Sequence, residues 1–254
     1  MTQNERILLV VPCYNDVARL SEFLPELAQG LSVKFRVLVS DDGSEVKERE
    51  DLRRLVDGVL EKGTAGCTVG VVFTERNTGK GGALMRGWSK LGDEAWVGFV
   101  DADGAVGLSE ILRAEAWLGE QSGIDALFGS RVKMLGRQVE RSLKRHLSGR
   151  IFATMVSELG RGPVYDSQCG LKLGRAASYR RVAPFLQTEG FAFDVELLLL
   201  LMKLGCRVVE FPVDWRDVPG SKVSLLRDSW RMAREVVRIQ KRVAGLDLDS
   251  SKTV

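Results

Sequence analysis

Two carboxylates one residue apart, in Asp101-Ala102-Asp103-Gly104, follow an apolar run, Trp96-Val97-Gly98-Phe99-Val100, that reads as a buried strand. At the carboxyl end of a strand in an α/β sheet they stand where such sheets bind ligands. Both can reach one hard cation, and a divalent ion held by one or two carboxylates completes its shell with waters and substrate phosphates. The expected chemistry is a metal-bridged nucleoside diphosphate. Taken alone, the tetrapeptide is better read as a polar turn, since Asp and Gly are common turn formers.

Its weight comes from the company it keeps. Asp41-Asp42-Gly43-Ser44 follows a second strand-like run and offers a carboxylate to base or ribose donors, or equally a helix cap. Asn77-Thr78-Gly79-Lys80-Gly81-Gly82 has the look of a phosphate cradle but lacks the GxxxxGK[ST] spacing of a P-loop, which argues against ATP hydrolysis. Its glycines and the helix start that follows suit an anion or a close substrate, and Lys80 divides evenly between touching ligand and capping the helix. No GxGxxG follows the first strand, which weighs against a nicotinamide or flavin enzyme.

These motifs need a scaffold. Strand-like runs at 7–11, 35–40, 68–73, 96–100 and 125–128 alternate with helix-like segments at 16–29, 45–60, 80–91 and 107–118. Apolar strands separated by helices predict βαβ units and a Rossmann-like, mostly parallel sheet covered on both faces. Five strand ends then converge on one sheet edge. After Arg131 the alternation stops; short strands near 171–173 and 208–211 and helices near 193–204 and 224–243 are expected to extend the same sheet. One domain is expected, with a nucleotide-binding half over about 6–131, an acceptor-side half over 132–243 and a tail at 245–254.

Composition narrows the class. At 254 residues, 44% hydrophobic and 28% charged, the chain is an ordinary globular protein with room for a large core. A net charge of +3 does not argue for nucleic acid. Four scattered cysteines and one histidine, His146, make a thiolate zinc site a poor reading, and free thiols fit a reducing cytosol. The apolar block at 195–202 falls far short of the ~20 residues needed to cross a bilayer. A cytoplasmic location is expected, with peripheral contact on the membrane's cytoplasmic face as its extension.

Four of these motifs, Val10-Val11-Pro12-Cys13-Tyr14-Asn15-Asp16, Ser40-Asp41-Asp42-Gly43-Ser44, Asn77-Thr78-Gly79-Lys80-Gly81 and Asp101-Ala102-Asp103-Gly104, occur in the order and spacing of family 2 glycosyltransferases of the GT-A fold. Asp166-Ser167-Gln168-Cys169-Gly170-Leu171-Lys172, Phe191-Ala192-Phe193-Asp194-Val195-Glu196-Leu197 and Pro219-Gly220-Ser221-Lys222 resemble the polyprenyl-phosphate sugar transferases, in particular the dolichyl-phosphate glucose synthases, with the mannose synthases next. The resemblance spans roughly residues 6 to 240.

It implies inverting transfer of a hexose, glucose from UDP-glucose before mannose from GDP-mannose, to a polyprenyl or dolichyl phosphate. Asp101 and Asp103 would hold Mg²⁺ or Mn²⁺, with Ala102 between them in the donor site. Pro12, Tyr14, Asp16 and Asp42 would line the nucleoside pocket, and Arg131, whose fork suits phosphate oxygens, would reach the phosphates. Asp166 and Asp194 are candidates for catalytic base or acceptor positioning, Asp194 having a helix cap as its alternative. A phosphate acceptor, with a second pKa of ~6, is anionic near neutrality and needs cations more than a base; Lys222, Arg145 and Arg141 are the candidates. The segment from Arg137 to Phe152 reads as a basic amphipathic helix, suited to an anionic membrane surface or to ordinary packing. Two rivals keep part of this reading: the same donor chemistry on a soluble phosphorylated metabolite or saccharide, and a non-catalytic nucleotide-sugar-binding protein. The sequence gives no oligomeric state.

Overall fold

A computed structural model of the chain describes residues 5–132, 136–139, 164–218 and 225–247, with the side chains of 232–247 in the last segment. Arg141, Arg145, His146 and Lys222, and most of the basic segment, lie outside the described residues.

Seven strands form one sheet: β1 (Ile7–Cys13), β2 (Phe35–Asp41), β3 (Thr68–Val72), β4 (Trp96–Val100), β5 (Ala126–Ser130), β6 (Leu171–Arg175) and β7 (Val208–Pro212), in the order β3-β2-β1-β4-β6-β5-β7. All pairings are parallel except those of β6, which runs antiparallel between β4 and β5. The fold is the expected mostly parallel α/β sheet, and the later strands join it. Because β6 is reversed, its first residue arrives where β1 to β5 end, and the loop before it joins their ligand edge.

Residue alternation builds two cores. Ile7, Leu9 and Val11 face α1 (Val17–Gly30), α2 (Val46–Lys62) and α4 (Leu108–Glu120); Leu8 and Val10 face α3 (Lys80–Trp88), α5 (Ala176–Val182), α6 (Phe193–Lys203) and α7 (Leu225–Gly245). The short α5, followed by a 3₁₀ turn at Ala183–Phe185, is absent from the sequence reading. The apolar block of α6 is core: Leu197, Leu198, Leu200 and Leu201 are buried, and Val236, Ile239 and Val243 of α7 share their cluster. Edge strand β3 is only partly covered.

The glycines of Gly79-Lys80-Gly81-Gly82 have a use other than the expected phosphate cradle. A Cβ on Gly81 would lie 2.2 Å from the Thr188 carbonyl oxygen and 2.7 Å from the Phe193 Cβ, and Gly79, at φ +97°, would meet the Glu189 carbonyl. The Gly82 N–H donates to that same carbonyl at 3.0 Å. The start of α3 is thus pressed against the turn that opens α6, which is how Lys80 and Asp194 come together. Gly81→Ala should destabilise the protein by roughly 1–3 kcal/mol through overpacking. Gly58→Ala, inside α2 with nothing within 4 Å of the added Cβ, should stabilise it by about 0.5–1 kcal/mol. Urea denaturation of the two variants checks both signs.

Candidate active site

The ends of β1, β2, β4 and β5 and the start of β6 bring acidic and basic side chains to one edge. Asp101 follows β4 directly, its N–H donating to the Gly170 carbonyl at 3.0 Å. A Cβ on Gly170 would stand 2.5 Å from Asp101 Oδ2, so the glycine of the 166–172 motif makes room for this carboxylate. Asp101 Oδ1 pairs with Lys80 Nζ at 2.8 Å. Asp103 accepts the Ala105 N–H on Oδ1 at 3.0 Å, and its Oδ2 lies 3.6 Å from an Arg19 nitrogen.

Behind Lys80 the ion pairs continue inward. Asp194 is 1% exposed; its Oδ2 is 3.7 Å from Lys80 Nζ and its Oδ1 is 2.9 Å from Lys172 Nζ. It sits in the first turn of α6, whose cap position is occupied by Ala192. Lys172, the second residue of β6, is 2% exposed and in register with Phe99 of β4 and Phe128 of β5. Burying an ammonium costs several kcal/mol unless it is paired and hydrogen-bonded. Lys172 meets that need through Asp194, the Cys169 carbonyl at 2.7 Å, and the rings of Phe99 and Phe128 at 4.9 and 5.1 Å. Sequence reasoning passed over Lys172 as a site residue, although a lysine between Leu171 and Leu173 in a buried strand was the visible signal.

Asp166 and Arg131 form a second unit. Arg131 Nε and Nη2 donate to the two carboxylate oxygens at 2.7 and 2.8 Å, and the Arg131 N–H adds a bond of 2.9 Å. Glu210 accepts the Tyr165 and Asp166 N–H groups, both at 2.7 Å, fixing the loop from below. Asp42 likewise serves the framework: it accepts from Thr78 Oγ1 and from the Thr78 and Gly79 N–H groups at 2.6–3.0 Å, so its carboxylate orders the Lys80 loop. Asp16 pairs with Arg19, which also faces Asp103 and was another residue missed; the i, i+3 spacing from Asp16 was its only trace. Pro12 is the penultimate residue of β1, Tyr14 just beyond the strand is 43% exposed, and Ala102 is buried.

The charges set distinct ionisation states. Burial pushes Asp101 up, but Lys80, Lys172 and Arg131 outweigh it and hold the carboxyl below its ordinary range. Asp103 is raised, by burial and then by the Asp101 charge. Burial opposes ionisation of Asp166 too, yet Arg131 holds it at about 2. Burial would lower the Lys80 ammonium, but Asp101 and Asp194 keep it above the usual lysine range. Burial and then Asp166 push the Cys169 thiol to about 12, and burial and Asp16 do the same at Cys13, so both remain thiols near neutral pH.

The residues present fit a hard divalent cation. Asp101 and Asp103 keep side-chain exposures of 36% and 27%, and their mutual repulsion is what a cation relieves. Among the described residues no group of three or more His, Cys, Asp or Glu stands ready to hold a metal alone, so the remaining ligands would be waters and substrate oxygens.

The seven-stranded, mostly parallel sheet is that of the GT-A fold, which the structural neighbours share. The sequence profile of glycosyl transferase family 2 matches residues 8–182, and the chain belongs to that family. It is 31% identical over 94% of its length to a dolichyl-phosphate beta-glucosyltransferase of Dictyostelium discoideum, covering 75% of that protein. Against the Saccharomyces cerevisiae protein of the same name the identity is 30%, covering 98% of this chain and 79% of the other. In fold it is similar to the mannosyltransferase PcManGT of Pyrobaculum calidifontis, solved with GDP-Man and Mn²⁺ (TM-score 0.66, 18% identity, 97% of this chain and 66% of that one). Glucosyl-3-phosphoglycerate synthase of Mycobacterium tuberculosis, solved with UDP, is similar at TM-score 0.63 and 19% identity, covering 96% and 82%. The chain is therefore a glycosyltransferase. No helix among the described residues is long and apolar enough to cross a membrane.

The Asp166–Arg131 pair has a signed pH dependence. A carboxyl at about 2 in the folded state and 3.8 otherwise stabilises the fold fully above pH 4, and that stability is lost as pH falls through 2. Thermal melts between pH 5 and 2 should fall more steeply for wild type than for Asp166→Asn. Arg131→Met, which strands a buried carboxylate, should cost about 3–5 kcal/mol at neutral pH.

Proposed function

We propose that the chain transfers glucose from UDP-glucose to a polyprenyl phosphate, with inversion at the anomeric carbon. The observation that carries this reading is the Asp101 and Asp103 pair at the sheet edge, flanked by Lys80 and Arg19. The two relatives above, both named dolichyl-phosphate beta-glucosyltransferases, support the sugar and the acceptor.

Asp101 and Asp103 would hold Mg²⁺ or Mn²⁺ on the donor diphosphate, and the bound ion would supply a counter-charge for the leaving nucleoside diphosphate. Tyr14 offers an exposed ring to the base, and Pro12 and Asp16 border the same pocket. Asp42 acts through the Thr78–Gly79 loop it orders, and Lys80 stands at the phosphates' end of the site. Arg131 sits beside Asp101 with its guanidinium oriented by Asp166.

The ion pairs of Asp166 and Asp194 favour reading both as counter-ions and not as free bases. Asp166 is bound bidentately by Arg131, and Asp194 is buried between two lysines. That suits a phosphate acceptor, which arrives as an anion and attacks without losing a proton. Asp166 and Asp194 are then positioning residues, and the acceptor phosphate is met by Arg141, Arg145 and Lys222. With neither carboxylate available as a nucleophile, the sugar passes in a single displacement.

Two measurements test this. In calorimetry with Mn²⁺, Asp103→Ala should abolish metal-dependent binding of UDP-glucose; unchanged affinity contradicts the assigned role. In a release assay, UDP should appear when UDP-glucose and a polyprenyl phosphate are present together. Release with a soluble phosphorylated acceptor and none with the lipid would overturn the acceptor assignment.

A further inference from the structure

The ion pairs along Asp101, Lys80, Asp194 and Lys172 are unequal in a way that points to movement. Lys80 Nζ is in hydrogen-bond range of Asp101 at 2.8 Å but stops at 3.7 Å from Asp194. Asp194 Oδ1, fully buried, receives no directed hydrogen bond; its 2.9 Å contact with Lys172 is a charge contact off the hydrogen-bonding line. A buried carboxylate with an unmade hydrogen bond is a costly arrangement. The other oxygen of the same carboxylate has a cation close by: a shift of Lys80 by less than about 1 Å brings its ammonium into hydrogen-bond range of Asp194 Oδ2 and adds the directed bond that Lys172 does not supply to this carboxylate. The ammonium lies 4.6 Å from the centroid of the Phe99 ring, the same ring that Lys172 approaches to 4.9 Å, so both lysines share one aromatic face.

We propose that Lys80 is an exchangeable counter-ion: it neutralises Asp101 while no cation is bound there and passes to Asp194 when the metal takes over Asp101. Asp194 is the second berth, and Lys172 is the fixed charge that keeps Asp194 in place and only partly satisfied. This rests on the metal-bridged donor proposed above. Lys172 and Asp194 touch neither donor nor metal in this account and act through Lys80. The exchange keeps the site close to neutral in both states, so a divalent ion enters without leaving an uncompensated ammonium beside it.

Counter-ion exchange gives neighbouring substitutions opposite signs, which a merely structural role does not. The probe is Mn²⁺ alone, with free ion counted by electron paramagnetic resonance and no nucleotide present. Lys80→Met removes the competitor and should tighten Mn²⁺ binding on the order of tenfold, a size typical of neighbours in one ion-pair network. Asp194→Asn removes the second berth, leaves Lys80 on Asp101, and should weaken binding by a similar factor. The double variant Lys80→Met with Asp194→Asn should bind as Lys80→Met does. Lys172→Met keeps an apolar stem between Phe99 and Phe128, leaves Asp194 to draw Lys80 more strongly, and should tighten binding. If Asp194→Asn does not fold, Lys172→Met decides the matter. Asp103→Ala separates the two layers of inference: wild-type protein showing no Mn²⁺ binding that depends on Asp103 overturns the metal reading and the exchange with it. Asp103-dependent binding that Lys80→Met weakens, or that Asp194→Asn and Lys172→Met leave unchanged, overturns the exchange alone.

Discussion

The burial of Asp194 is the constraint around which the rest of the site is arranged. A carboxylate that is 1% exposed requires cations, and the two that answer come from opposite directions, Lys172 from the sheet and Lys80 from the first turn of α3. Lys172 in turn can be buried only because Phe99 and Phe128 flank it in register and the Cys169 carbonyl accepts its hydrogen bond. Lys80 then reaches Asp101, so the outermost carboxylate of the site is connected through three ion pairs to the middle of the sheet. Each link would be expensive alone; together they are mutually compensating.

Topology makes this possible. Reversing β6 places Lys172 in the sheet interior and the Asp166 loop at the edge where β4 and β5 deliver Asp101 and Arg131. Small residues then allow the close approaches: Gly170 against the Asp101 carboxylate, and Gly79 and Gly81 against the turn before α6. Asp42 closes the arrangement from β2 by tying down Thr78 and Gly79. Motifs far apart in sequence are therefore one packed unit, in which backbone contact does as much as charge.

Much of this was legible in the sequence. Strands such as Trp96–Val100, buried on both faces, announce themselves as uninterrupted apolar runs, and the polar residues after each run mark the ligand edge. Asp101, Asp103, Asp166, Asp194, Lys80 and Arg131, the charged residues expected there, lie in the described region, and their ion-pair partners lie on the same edge. Strand direction is not written in composition, so the antiparallel run of β6 and the register that sets Lys172 between Phe99 and Phe128 were invisible until paired. The Gly79–Gly82 run leaves two readings open in the sequence because a glycine needed for close helix packing and one needed to cradle phosphate look alike in one dimension. Helix α5 escaped because seven residues beginning Ala176-Ala177-Ser178 carry too few apolar positions to show a period. Arg19 and Glu210 act across long sequence separations, which spacing alone does not reveal.

Both buried carboxylates are held as counter-ions, and in the proposed reaction the acceptor phosphate is itself the nucleophile in a single displacement. The most direct test is the anomeric configuration of the product formed from α-linked UDP-glucose and a polyprenyl phosphate, read by proton nuclear magnetic resonance before hydrolysis. A β-linked glucosyl phosphate is the predicted result. An α-linked product would mean that the acceptor does not attack opposite the leaving diphosphate, and would contradict the account.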